Sequence, residues 1–170
     1  LPALDAATAR TASSWVRDGW IALTPGDVTD YDYIKAQIRK DLDAFDVQGI
    51  GFDSWNSSQL VNDLMAEDAP MEKVRQGFGS LSAPLKEIDR LVRAGTAQKP
   101  LWRHGGNPVL RWMADNLRPR ADVNGNIAPD KAKSMNKIDG ISAATTAMFV
   151  AMNSEAPSYS AYESGGVETV

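Results

Sequence analysis

The chain has no cysteine and only one histidine, His104, among 170 residues. The first absence excludes a disulfide framework and a thiolate metal site, and the second excludes a multi-histidine zinc centre. Carboxylates are left as the ligands for any metal. No apolar run approaches the ~20 residues that a membrane span requires, so no membrane association is expected. Neither G-x-x-x-x-G-K-[ST] nor G-x-S-x-G occurs, which removes a P-loop ATPase and an elbow-type serine hydrolase. The start, LPALDAATAR, has no initiator methionine and lacks the charged-then-apolar layout of a signal peptide. It reads as a piece cut from a longer protein.

What is present is enough apolar residue, 43%, for one domain with a real core. The net charge of −4 is unevenly spread. Residues 1 to 85 carry seven Lys/Arg against thirteen Asp/Glu, a net of −6. From Lys86 to Asp139 there are eleven against six, a net of +5, and three glutamates follow. An acidic chain thus holds one basic segment running into an aspartate, the charge layout of a metal-dependent nuclease site.

Hydrophobic spacing and turn residues predict alternating helices and strands, hence an α/β layer architecture. Residues 1 to 18 read as a helix. Gly19 to Thr24 reads as a short strand closed by Pro25, Gly26 and Asp27. Thr29 with Asp32 resembles a capping box for a helix over 31–45, with Ile34, Ile38, Leu42 and Phe45 on one face. Residues 47–52 (VQGIGF) read as a buried strand, 57–67 as a helix and 73–76 as a brief strand. Ser82 and Pro84 open a helix that Gly95 ends, and Asn107-Pro108 opens another over 108–116. Residues 117–123 and 126–128, joined by Asn124-Gly125, read as a hairpin with a type I′ turn. A final helix spans about 138–152. The domain is assigned to 1–152, with a flexible Ser/Tyr/Gly-rich tail over 153–170.

Asp53 stands at the C-terminal end of a strand, where open α/β sheets place ligands, although aspartate is also a common turn former there. Asp139 opens the last helix, where it would also favour the helix dipole. Together they offer two hard oxygen ligands for Mg²⁺ or Mn²⁺. Two such ions, about 3.5–4 Å apart, promote phosphodiester cleavage, but a two-ion site normally has a third carboxylate, and none is evident. Lys131, Lys133 and Lys137 would hold phosphates near the metal or form a solvated charge run. Arg103, Arg111, Arg118 and Arg120 would line a DNA backbone groove, with Arg118 and Arg120 on one face of the hairpin. His104 would position a water or phosphate, or bond the turn at Gly105-Gly106. Trp55, Trp102 and Trp112 read as core or core-edge residues rather than base-stacking platforms.

The blocks WVRDGWIALTPG, GFDSWNSSQLV, RQGFGSLSAPLKEIDRLV, RHGGNPVLRWMADN, NGNIAPDKAKSMNKIDGISA and SAYESGGVETV resemble, in the same order, the C-terminal nuclease domain of tailed-bacteriophage terminase large subunits. The resemblance covers nearly the whole chain. It implies an RNase H-like fold, a mixed sheet flanked by helices, and metal-dependent endonuclease activity on concatemeric double-stranded viral DNA. It further implies a portal and a small terminase subunit as partners, and the host cytoplasm as the site of action. The family's second and third metal-binding acids fall on Asp53 and Asp139. Its first catalytic aspartate, on the first strand of the sheet, would lie upstream of this chain, as would the ATPase motor. The alternative is a non-catalytic fragment that docks on DNA or the portal.

Overall fold

The computed structural model describes residues 6–26, 28–53 and 58–154. Trp55 and the tail from residue 155 onward lie outside the described residues. Six helices and four short strands follow one another as α1 (Ala6–Arg17), α2 (Tyr31–Ala44), β1 (Ile50–Phe52), α3 (Ser58–Met65), β2 (Met71–Lys73), α4 (Phe78–Ala94), α5 (Pro108–Asn116), β3 (Pro119–Ala121), β4 (Ile127–Pro129) and α6 (Asp139–Asn153). The mixed α/β character matches the sequence expectation. The sheet does not. Among the described residues there are two separate two-stranded sheets, β1–β2 parallel and β3–β4 antiparallel.

Helices α4 and α6 pack on each other more extensively than any other pair of elements. Val74, Leu81, Ala128 and Val150 form a buried cluster between these helices and the strands, flanked by Phe78 and Phe149. Strand β1 lies directly against α6. A Cβ at Gly49 would come within 2.6 Å of Val150 Cγ1, and one at Gly51 within 2.7 Å of Thr146 Cγ2. Two residues forward on β1 correspond to four residues backward on α6, so the two elements run antiparallel. The advance matches on both sides, about 6.6 Å of strand against 6 Å of helix.

Several expected boundaries are corrected by hydrogen bonding that the sequence pattern hides. Residues 19–24 form no strand. Gly19 N–H donates to Val16 O (3.1 Å) and Trp20 N–H to Trp15 O (2.8 Å), with Gly19 at φ +80°. That pair of bonds is a Schellman cap, so the glycine closes α1 rather than opening a strand. The cap of α2 is Asp30, whose side chain accepts from Tyr33 N–H, so the Thr29/Asp32 box is one residue out of register. Helix α4 begins at Phe78, before the expected Ser82, and carries Pro84 inside it. Burial of Leu81, Leu85 and Ile88 outweighs the bond that proline removes. Strand β2 sits two residues earlier than expected because Met71 pairs with Ile50.

The hairpin turn is not type I′, since only Gly125 has positive φ, at +73°. Asp122 N–H donates to Asn126 O and Gly125 N–H to Asp122 O, leaving a three-residue loop. The Asp122 carboxylate accepts from Asn126 Nδ2 and from the backbone N–H groups of Asn124 and Asn126. Those bonds, the Asn126 side chain's first, hold its pKa below the ordinary aspartate value. Helix α5 matches its expected range, with Asn107 Oδ1 accepting from Val109 and Leu110 N–H.

Candidate functional site

A cleft of about 630 Å³ opens where β1 ends. Gly51 and Asp53 form one wall, and Ser142, Ala143 and Thr146 of α6 form the facing one. Gln76, Leu81, Arg120, Pro129, Asp130, Lys131 and Ala132 complete it. The antiparallel run of β1 along α6 explains the placement. Continuing from Gly51 opposite Thr146, the chain passes the last strand residue, Phe52, and reaches Asp53, which lines the cleft with Ser142 and Ala143. Asp139 lies one helical turn before them, in the first turn of α6. No side chain caps this helix, whose N-cap is Ile138.

The Asp139 carboxylate receives the Lys131 ammonium, Nζ to Oδ1 2.6 Å. Lys131 itself lines the cleft with Asp53. Lys131 thus bridges the two acids' surroundings. Asp53 is solvent-exposed at the strand end and Asp139 is 56% exposed along its side chain, so both carboxylates are reachable from solvent. Opposite them, the Arg120 guanidinium lies 4.8 Å from the centre of the Phe78 ring. That contact, with the Arg120–Ala128 pairing of the hairpin, fixes a cation at the cleft mouth.

The structure does not gather all the basic residues here. Arg118 precedes β3, and its guanidinium turns back to the carbonyl oxygens of Asp115 and Leu117. The expected pairing of Arg118 and Arg120 on one hairpin face is therefore not found. The backbone of Arg118 still joins the hairpin, its carbonyl accepting from Asp130 N–H, but its guanidinium is held by the end of α5. Arg111 and His104 line a second cavity, of about 380 Å³, with Trp102, Leu101 and the end of α4. There the His104 Nδ1 is buried without a hydrogen-bond partner, and it is the His104 carbonyl that accepts from Asn107 N–H in the Gly-Gly turn. Lys137 borders a third, apolar cavity with Trp15 and Trp112. Those two rings meet at a tilt of 60° with centroids 5.5 Å apart, and Trp15 is buried. Arg103 and Lys133 are exposed, and Lys133 contributes its backbone N–H to Asp130 Oδ1.

Sequence reasoning missed Asp130, Gln76 and the small-residue wall of α6. Asp130 reaches the cleft, but its carboxylate accepts from Ala132 and Lys133 N–H. The Asp-x-x-x-Ser spacing of 130–134 hinted at such a turn. Among the described residues, no three His, Cys, Asp or Glu side chains stand together as a metal site.

Comparison with known proteins identifies the family of the chain. Residues 5–155 match the family model described as "Terminase large subunit, endonuclease domain". The chain belongs to that family. A curated relative, the terminase large subunit of Enterobacteria phage HK97, is 33% identical over 133 residues, 77% of this chain and 25% of the relative. Protein YmfN of Escherichia coli strain K12 is 29% identical over 151 residues, 87% of this chain and 32% of its own length. The crystal structure of the HK97 bacteriophage large terminase superposes with a TM-score of 0.72 at 30% identity, over 84% of this chain and 30% of that one. The chain thus spans between a quarter and a third of the length of these relatives.

Proposed function

We propose that this chain is an RNase H-like, divalent-metal-dependent endodeoxyribonuclease that cuts concatemeric double-stranded viral DNA during packaging. In that role it works beside a portal and a small terminase subunit, in the cytoplasm of the host. The nuclease unit is assigned to residues 1–152, a span that nearly coincides with the family match over 5–155. The observation that carries the reading is the antiparallel approach of β1 to α6, which brings Asp53 and the first turn of α6 to one cleft rimmed by Arg120 and Lys131.

The residues present fit a hard divalent cation. Asp139 already accepts a cation, the Lys131 ammonium, at 2.6 Å. Carboxylate oxygens facing a solvent-open cleft suit Mg²⁺ or Mn²⁺, which are held by one or two carboxylates together with water and substrate phosphate. Asp53 and Asp139 would hold it. When bound, such an ion offsets the charge developing on phosphate and lets water attack at neutral pH. Arg120, steadied over Phe78, binds a phosphate oxygen and holds the DNA backbone across the cleft. Arg111, His104, Arg103, Arg118, Lys133 and Lys137 lie away from the lined cleft, so any hold they have on DNA is on the flanking duplex. A two-ion form requires a further carboxylate beside these two. The competing reading, a docking fragment without catalysis, draws on the lack of a three-acid group among the described residues.

Supercoiled-plasmid cleavage in Mn²⁺ decides between them. Asp53→Asn and Asp139→Asn are each expected to abolish nicking and linearisation while DNA binding persists. Cleavage that survives both substitutions refutes the assignment of the site, and absence of cleavage by the wild-type chain favours the docking reading.

A further inference from the structure

Lys131, which lines the cleft, pairs with Asp139, and the setting of this ion pair is asymmetric. The base of Lys131 is fixed. Asp130 Oδ1 accepts from Ala132 and Lys133 N–H, while Ser134 donates through both its N–H (3.0 Å) and its hydroxyl (2.7 Å) to Asp130 O. The Lys131 side chain, by contrast, is 68% exposed, and its partner is 56% exposed. An exposed single ion pair is worth little, so a divalent ion of twice the charge displaces it readily. The freed ammonium stays tethered at the cleft, because Lys131 lines the same walls as Asp53 and Arg120. Among the described residues Asp139 has no other ion-pair partner. Among the described residues Lys133 has no ion pair, and Lys137 borders a different cavity.

We infer that Lys131 is an exchangeable occupant of the metal position: it neutralises Asp139 until a divalent cation arrives, then swings onto the DNA phosphate in the same cleft. This rests on the assignment of Asp139 as a metal ligand made above. The device has two consequences. Repulsion among the acids is relieved before metal binds, so the first turn of α6 stays in place. The charge that the metal displaces is not lost to solvent but delivered to the phosphate, coupling metal binding to DNA engagement. Lys131 is on this view a positioning residue, exchanging carboxylate for phosphate around a fixed backbone.

The test is a Mn²⁺ titration followed by electron paramagnetic resonance of the free ion, without DNA, on the wild-type chain and on Lys131→Met, Lys131→Arg and Asp139→Asn. Methionine keeps the apolar stem but removes the competing charge. Lys131→Met is expected to bind Mn²⁺ about fivefold more tightly, the scale of an exposed ion pair, and Lys131→Arg to match the wild type. A merely structural lysine would loosen the metal or leave it unchanged when removed. Equal affinity of Lys131→Met and wild type, with Asp139→Asn weaker, overturns the exchange while leaving the site intact. Undiminished affinity in Asp139→Asn overturns the site assignment and the exchange with it.

Discussion

Substituting Gly51 by alanine should damage the site from a distance, through packing alone. The added Cβ would lie 2.7 Å from Thr146 Cγ2, 2.9 Å from Val150 Cγ2 and 3.2 Å from the Thr146 carbonyl oxygen. Two of those atoms belong to stiff β-branched side chains and one to helix backbone, so none can swing aside cheaply. Overpacking of this kind costs about 1–3 kcal/mol, while replacing glycine lowers unfolded-state entropy and returns about 0.4–1 kcal/mol. The net expectation is a loss of about 1–2 kcal/mol, or roughly 2–8 °C in Tm for a domain of this size. Urea denaturation should show the midpoint falling with an unchanged slope. Because β1 must shift away from α6, Asp53 moves relative to Asp139. Plasmid cleavage should therefore fall by more than the stability loss explains, since misplacement of ~1 Å can cost about 10²-fold. Thr146→Ser removes the offending methyl but keeps the hydroxyl that donates to Ser142 O at 3.1 Å. The double variant Gly51→Ala/Thr146→Ser should recover part of both losses. A Gly51→Ala chain as stable as the wild type, or a double variant with strictly additive effects, would refute the claim that this contact sets the spacing of the two acids.

Two further outcomes follow from the charge layout. Arg120→Ala should weaken DNA binding similarly for all sequences and lower the slope of log affinity against log salt by about one, whereas Arg118→Ala should change it less, because its guanidinium is already bonded to the Asp115 and Leu117 carbonyls. Equal slopes for the two variants would contradict the separation of these arginines. Helix α2 buries no side chain fully and is tied to α3 by Lys35–Asp63 and to the turn just after α3 by Arg39–Glu67. Hydrogen bonding to Lys35 holds Asp32, and hydrogen bonding to Arg39 holds Glu67, below their ordinary values. The partners are raised, Lys35 by Asp63 first and Arg39 by Glu67. The carboxylate contribution is therefore full above their unfolded values of about 4 and lost as the pH falls through the lowered native ones; the cationic contribution is full below about pH 10. Hydrogen-exchange protection factors in α2 should be level between about pH 5 and 9 and drop in acid. Glu67→Gln should lower protection at neutral pH and flatten the acid drop; an acid drop unaltered in that variant would show that these pairs do not hold the helix.

How much of this was legible in the chain depended on whether the signal was local. Asn107-Pro108 specified α5 to the residue, because the cap and the proline act within one turn. The pattern of 73–76 misplaced β2, because strand register is set by the partner, Ile50 against Met71, and not by the strand's own residues. The sequence also grouped the basic residues by their nearness in the chain. Folding distributed them over three cavities, since turns at Gly105-Gly106 and at 130–134 redirect the chain between them.

From the sequence by itself came the chemistry on offer: oxygen ligands without thiols, a basic segment in an acidic chain, and block-by-block likeness to a terminase nuclease domain that the family match then established. These depend on composition and order, which need no fold to be read. What the tertiary structure alone decided is which groups meet. Asp53 and Asp139 are 86 positions apart in number, and no local pattern links them. Asp53 lines the cleft and Asp139 lies one helical turn before its Ser142 wall, because Gly49 and Gly51 let the chain pass close against α6, and Lys131 of the same lining bonds Asp139 from a turn held by Asp130.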